Sequence, residues 1–246
     1  ADVVADQVRR RPDTVLGVAT GSSPLGAYRE LARRRAEGSL DLSGLRCFAL
    51  DEYVGLPASH PAAYAEVLGR EVAGPFGLPA SRVRVPDGSR WDLEQAGRDY
   101  EEAIAGAGGI DLQLLGIGAN GHIGFNEPGS SLSSRTRVKA LSARTRADNA
   151  RFFDDPDEVP THCLTQGLGT ILDARRVLLL AQGEHKAAAV AATVEGPVSA
   201  MCPGSVLQFH RAVTVVVDEA AASRLALTDY YRFVAEAGHR LRQEGP

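Results

Sequence analysis

The chain has 246 residues, of which 44% are hydrophobic and 24% charged, and its formal net charge is -4. That size and balance suit one α/β domain spanning residues 1–246, and the mild acidity gives no electrostatic case for nucleic acid or an anionic membrane surface. No apolar run approaches the ~20 residues of a spanning helix, no signal peptide is visible, and the three scattered cysteines, Cys47, Cys163 and Cys202, give neither a disulfide framework nor zinc spacing, which points to a reducing cytoplasm.

The chain opens on Ala1 rather than Met, compatible with a natural start upstream. Residues 2–11 read as the end of a helix and residues 14–19 as a short apolar strand. The strand runs into Thr20-Gly21-Ser22-Ser23-Pro24, after which Leu25, Tyr28, Leu31 and Ala32 recur at helical spacing. Ser23 suits the N-cap and Pro24 the first helical position. A strand, a Gly/Ser turn and a helix start make a ready anion site, because free backbone N–H groups and the helix dipole aim at one spot. The bland alternative is a well-capped helix. Residues 45–50 form a second strand that ends in Asp51 and Glu52. Two acids there serve either as a surface cap or as a general base, and spacing does not say which acid. Tyr64, Val67 and Leu68 suggest a helix after His60-Pro61, and residues 82–85 a short strand. Residues 91–104 read as a helix with Leu93, Ala96, Tyr100 and Ile104 inward and Trp91 as a packing residue.

Residues 110–115 read as a strand buried on both faces. They lead into Gly116, Gly118, Gly121 and Gly124, interleaved with Asn120, His122, Asn126 and Glu127. Glycines this dense let the backbone approach a ligand closely, and the carboxyl end of a parallel strand is where an open α/β sheet binds one. Gly116-x-Gly118-x-x-Gly121 matches the dinucleotide fingerprint as a bare pattern. A Rossmann turn, however, opens directly into a helix, with an acid about 20 residues on. Here Gly124 and Pro128 interrupt any helix and residues 139–143 hold no acid, so no nicotinamide or flavin cofactor is expected. His122 alone would be a structural histidine. Beside Asn120 and Glu127 it gains a carboxylate able to hold its tautomer and stabilise its protonated form, so it can take and give a proton. The spacing of His122 and Glu127, with no second His or Cys close by, is poor for zinc, and no metal is expected.

Residues 130–151 are polar and basic, with Arg135, Arg137, Lys139, Arg144, Arg146 and Arg151. Most belong to a solvated face, and a few can reach an anion beside the loop. Asp154-Asp155-Pro156-Asp157 breaks any helix, so residues 140–160 are expected to form a mobile helical flap. Residues 164–172 read as a helix and residues 177–180 as a strand. Gly183-Glu184-His185-Lys186 then opens an Ala-rich helix. The dipole disfavours a cation in a first turn, so Lys186 points to an anionic partner. Residues 197–203 are a break, 212–217 the last strand and 230–242 a closing helix. The alternation predicts a single doubly wound, mostly parallel sheet with helices on both faces, Rossmann-like, without repeats or linkers.

Thr20-Gly21-Ser22-Ser23-Pro24-Leu25-Gly26, Leu50-Asp51-Glu52-Tyr53-Val54-Gly55-Leu56 and residues 118–128 resemble the three signature segments of the glucosamine-6-phosphate deaminase family. Ser130-Ser131-Leu132, residues 134–139, Asn149-Ala150-Arg151-Phe152-Phe153, Gly183-Glu184-His185-Lys186 and Val194-Glu195-Gly196 resemble its later segments. The similarity spans nearly the whole chain, in the family's order and at compatible spacing. It implies conversion of glucosamine 6-phosphate to fructose 6-phosphate and ammonia without a cofactor, a hydrolase acting on a C–N bond in amino-sugar catabolism.

By that resemblance Asp51 takes the C2 proton. His122, oriented by Glu127 and assisted by Asn120, moves the proton that opens the ring. Thr20, Gly21, Ser22 and Ser23, with Arg151 and Lys186, hold the phosphate. Some members carry Asp in place of Asn120, and Asn cannot take up a proton, so only positioning is assigned to it. Ser130, Arg137 and Lys139 match positions that bind an N-acetylglucosamine 6-phosphate activator in hexameric, allosteric members, whereas other members are not allosteric, so a homo-oligomer is one of two expectations the resemblance leaves open. The neighbouring alternatives are a 6-phosphogluconolactonase-like hydrolase, a galactosamine-6-phosphate deaminase, and a sugar-phosphate sensor without turnover.

Overall fold

The structure, a computed structural model, describes residues 1–244. Six strands form the main sheet: β1 (Val15–Val18), β2 (Arg46–Ala49), β4 (Val83–Arg84), β5 (Leu112–Leu115), β8 (Val177–Ala181) and β9 (Val213–Val217). Their order is β4-β2-β1-β5-β8-β9, and every pairing is parallel. The helices are α1 (Asp2–Arg10), α2 (Ser22–Ala36), α3 (Tyr64–Leu68), α4 (Gly74–Phe76), α5 (Leu93–Gly106), α6 (Ala143–Asn149), α7 (Leu168–Leu172), α8 (Ala187–Val194), α9 (Glu219–Ala222) and α10 (Thr228–Glu244). None is long and apolar enough to cross a membrane among the described residues.

Alternation along the strands makes two cores. Leu16, Val18, Leu112, Leu114 and Leu178 pack with Val4 and Val8 of α1 and Tyr28 and Leu31 of α2 on one face. Val15, Leu115, Val177 and Leu179 pack with Tyr100, Ile104, Leu168, Ile171 and Val190 on the other. Successive side chains of a strand point to opposite faces, so a sheet covered on both needs apolar residues at every position. The predicted doubly wound sheet is therefore present.

A second sheet accompanies it. β3 (Asp51–Tyr53), β6 (Arg137–Ala140) and β7 (His162–Thr165) pair antiparallel in the order β3-β7-β6. The chain leaves the main sheet at Leu50, whose N–H donates to the Val18 carbonyl at 3.1 Å and whose carbonyl accepts from the Gln166 N–H at 2.7 Å. The next residue, Asp51, thus stands where the two sheets meet.

Three local expectations are corrected. The helix expected over residues 164–172 is strand β7 followed by the shorter α7, because residues 162–165 are held by β3 on one side and β6 on the other. Pairing on both edges overrides the local apolar pattern. Ser23 is not the N-cap: α2 begins at Ser22 after Gly21, whose φ is 90° and which makes no side-chain cap bond. Trp91 does not pack but is 95% exposed.

Candidate active site

The strand order reverses between β1 and β5, and at such a switch point two loops diverge and leave a crevice beyond the carboxyl ends. Four adjacent strands deliver the predicted groups there. β1 brings Thr20 to Ser23, β2 passes into Asp51, β5 carries the glycine-rich loop, and β8 is followed by Lys186.

Geometry separates the two acids after β2. Glu52 accepts backbone N–H bonds from Tyr53 at 2.8 Å, Tyr64 at 3.0 Å and Ala65 at 2.9 Å, so it caps the start of α3. Asp51 is also buried, yet it accepts no hydrogen bond among the described residues. Burial, then the neighbouring Glu52 charge, push its carboxyl up to about 8. A buried carboxyl without donors keeps its proton unless its surroundings supply a countercharge, and once ionised it is a strong base. A Cβ placed on Gly124 would lie 3.5 Å from Asp51 Oδ2. Asp51 therefore sits against the backbone of the loop two residues beyond His122.

That loop is shaped by its glycines. Gly121 has a φ of 83° and Gly124 of 54°, a region in which side chains are strained. Gly118 lies beneath the imidazole: a Cβ there would stand 2.2 Å from His122 Cε1. Gly118→Ala should therefore displace the ring and lower kcat by at least about tenfold, with the far-ultraviolet circular dichroism unchanged; full activity would show that the ring position is unimportant.

His122 Nδ1 faces Glu127 Oε2 at 3.8 Å and has no hydrogen-bond partner among the described residues. Asn120 joins the two, donating from Nδ2 to Glu127 Oε2 at 2.7 Å and accepting from the His122 N–H at 3.2 Å. Burial lowers the His122 pKa against the pull of Glu127, with Lys186 and Arg144 adding to the fall and Asp148 opposing it. The ring is thus neutral at neutral pH and ready to accept a proton. Burial would raise Glu127, but Thr145, His122, Asn120 and Ser142 together hold its carboxyl below the usual range. The pair is a neutral imidazole beside a carboxylate.

Lys186 is half-buried. Burial lowers its pKa, as do Arg151 and Arg144, while Asp148 opposes them. Three cations thus converge on one space, and Arg151 also stacks over Phe152 at 4.7 Å. At the end of β1, Gly21 leaves the first N–H groups of α2 without a side-chain cap, and Ser23 Oγ lies beside Gly116 at the end of β5. Thr20 faces the Tyr64 hydroxyl.

The other three predicted residues are Ser130, Arg137 and Lys139. Arg137 and Lys139 lie two positions apart on β6 and so share one face of the strand, and Arg137 Nη1 donates to Asn126 Oδ1 at 2.9 Å. Ser130 is buried, and its hydroxyl has no hydrogen-bond partner among the described residues.

The family model for glucosamine-6-phosphate isomerases/6-phosphogluconolactonase matches residues 1–216. The chain belongs to this family. A glucosamine-6-phosphate deaminase of Rhodococcus opacus is 61% identical over 236 residues, covering 96% of this chain and 91% of that protein. One of Streptomyces coelicolor is 58% identical over 233 residues, covering 94% and 89%. A solved structure of a monomeric glucosamine-6-phosphate deaminase superposes with a TM-score of 0.88 at 43% identity, covering 91% of this chain and 92% of that one. The 6-phosphogluconolactonase of Trypanosoma brucei shares the fold, with a TM-score of 0.71 at 21% identity over 92% of this chain and 91% of that one.

Against this isomerase/lactonase fold, several polar groups around the site escaped the sequence reading. Ser142 Oγ donates to Glu127 Oε1 at 3.0 Å, and Thr145 Oγ1 donates to the same oxygen. Thr165 Oγ1 accepts from the Phe125 N–H at 3.1 Å, and Gln166 Nε2 donates to the Ala49 carbonyl at 2.8 Å. Only Ser142 left a signal, as a polar residue opening a short helical stretch.

Proposed function

We propose that the chain converts glucosamine 6-phosphate to fructose 6-phosphate and ammonia. The observation that carries this reading is Asp51: a buried carboxyl that accepts no hydrogen bond among the described residues, pushed up to about 8, beside the loop that holds the His122–Glu127 pair. Its family and the deaminases at 58–61% identity support the same substrate.

The chemistry follows from the groups. His122 moves the proton from the anomeric hydroxyl to the ring oxygen as the pyranose opens, and Glu127, held by Asn120, stabilises the charge the ring gains. The C1 carbonyl and the C2 ammonium then acidify the C2 proton. Asp51, ionised beside the incoming ammonium, takes that proton, the C2–H electron pair becomes the C1–C2 double bond, and the C1 oxygen gains the proton that the C2 ammonium gives up, leaving a neutral enolamine. Asp51 returns a proton to C1 and leaves an iminium at C2. Water adds to C2 and ammonia departs, so the net change at the C–N bond is a hydrolysis that follows an isomerisation.

In this scheme Thr20, Gly21, Ser22 and Ser23 offer donors to the phosphate from the start of α2, and Arg151 and Lys186 supply its countercharge. Anchoring that remote dianion orients the reacting carbons, which is where much of the rate gain arises. Lys186→Ala should raise KM for the phosphorylated sugar by about 10- to 100-fold, the worth of one charged hydrogen bond; an unchanged KM would remove Lys186 from the phosphate site. Residues 140–160 would close over the bound sugar as a flap.

A lactone hydrolase would leave Asp51 without a task. The test is ammonia release from glucosamine 6-phosphate and galactosamine 6-phosphate beside hydrolysis of 6-phosphogluconolactone. Activity is expected with an amino-sugar phosphate and not with the lactone, and the reverse result refutes the proposal. Ser130, Arg137 and Lys139 would bind N-acetylglucosamine 6-phosphate in an allosteric oligomer, whereas the 43% identical relative is described as monomeric. Light scattering and rate measurements with and without that sugar phosphate distinguish the two.

A further inference from the structure

Glu127 is a carboxylate with 7% of its surface exposed, and its two oxygens are used differently. Oε2 faces the Asn120 amide at 2.7 Å and the His122 ring at 3.8 Å. Oε1 turns the other way and takes two hydroxyls, Ser142 Oγ at 3.0 Å and Thr145 Oγ1. Both hydroxyls belong to the opening turn of α6. Ser142 is its N-cap, accepting the Thr145 N–H at 3.2 Å. The same residue that starts the helix therefore also holds the carboxylate.

We infer that Thr145 and Ser142 are positioning residues that fix the Glu127 carboxylate in line with His122, so that the proton-transfer pair is assembled only when the first turn of α6 is formed. This rests on the reading of His122 and Glu127 given above. A buried carboxylate that loses its donors either takes up a proton or turns to find others, and either change removes the charge that supports a protonated imidazole. The turn also carries Arg144, and Asp148 follows on the same helix. Among the described residues these two, with Lys186 and Glu127, are the charged groups that act on His122, and Cys163 of β7 lies within the field of Glu127. Formation of α6 thus brings the carboxylate, its donors and the flanking charges together in one step. Thr145 is 3% exposed, so Thr145→Val removes the hydroxyl while keeping the buried shape.

The experiment pairs kinetics with carboxyl ¹³C NMR on the full chain. In Thr145→Val, kcat for cyclic glucosamine 6-phosphate should fall roughly tenfold with KM unchanged, and an open-chain analogue should be turned over normally. The Glu127 titration midpoint should rise by about one pH unit, since donors to a carboxylate favour its charged form. Thr145→Ser should restore both, and Ser142→Ala should repeat the shift more weakly. A wild-type chain that is active, with a Glu127 midpoint and kcat unmoved in Thr145→Val, overturns the inference. A wild-type chain that releases no ammonia sinks the deaminase reading instead. The inference is then judged by the Glu127 midpoint alone and fails if that midpoint is the same in both proteins.

Discussion

Asp51→Asn should lower kcat for glucosamine 6-phosphate by about 10²- to 10⁴-fold, the usual worth of a general base, and leave the affinity for the sugar phosphate within a few-fold of the wild type. Exchange of the C2 proton with solvent deuterium should disappear together with turnover. Persistent exchange would remove Asp51 from the reaction. The same substitution has a consequence for stability whose sign is fixed. The folded protein holds the Asp51 proton up to about pH 8, whereas an unfolded chain releases it near pH 4. Between those values the folded state binds more protons, so stability falls as pH rises. Asn carries no such proton, and Asp51→Asn should melt several degrees above the wild type at about pH 9 but close to it at about pH 4. A carboxyl that merely stabilised the fold would give the opposite result. The gain in stability with loss of turnover is the expected signature of a catalytic group held in unfavourable surroundings.

His122→Gln carries the second large effect. Removing the imidazole should slow turnover of the cyclic sugar by about 10²-fold, because the ring can no longer pass a proton between the anomeric hydroxyl and the ring oxygen. An analogue that is already open does not need this step and should lose little. Equal losses on both would show that His122 serves the chemistry at C2 or only the shape of the loop. The ring is neutral at rest because burial outweighs the pull of Glu127, so Glu127→Gln should remove the support for the protonated ring and reproduce much of the His122→Gln defect.

How far the site could be read from the sequence depends on the range of the interactions that build it. Strand β1, the turn at Thr20 to Ser23 and helix α2 were legible because their signals are local: an apolar run, a Gly/Ser break and helical periodicity. The glycine-rich loop was legible because Gly121 and Gly124 adopt conformations that few other residues accept. Spacing alone did not choose between Asp51 and Glu52; only the family resemblance did. That choice is made by the N–H groups of Tyr64 and Ala65, more than ten positions downstream, which claim Glu52 and leave Asp51 alone. The second sheet was hidden for the same reason. Asp51-Glu52-Tyr53 and Arg137-Val138-Lys139-Ala140 have weak strand preferences, and only pairing with residues 162–165 makes them strands. Thr145 carried no mark of its partner, since Glu127 lies eighteen positions earlier and meets it only through the tertiary fold. Trp91 misled in the opposite direction, because large aromatic residues are mostly buried and this one is 95% exposed.

Both single-residue effects concern one sequence of proton transfers on an amino-sugar phosphate, and its outcome is read directly by following ¹H NMR and ammonia while the purified wild-type chain acts on glucosamine 6-phosphate. Fructose 6-phosphate and ammonia should appear in equal amounts with no added cofactor, while Asp51→Asn leaves the sugar unchanged. Unaltered sugar with the wild-type chain, together with hydrolysis of 6-phosphogluconolactone, would contradict the assignment of Asp51 and His122 as the groups that move its protons.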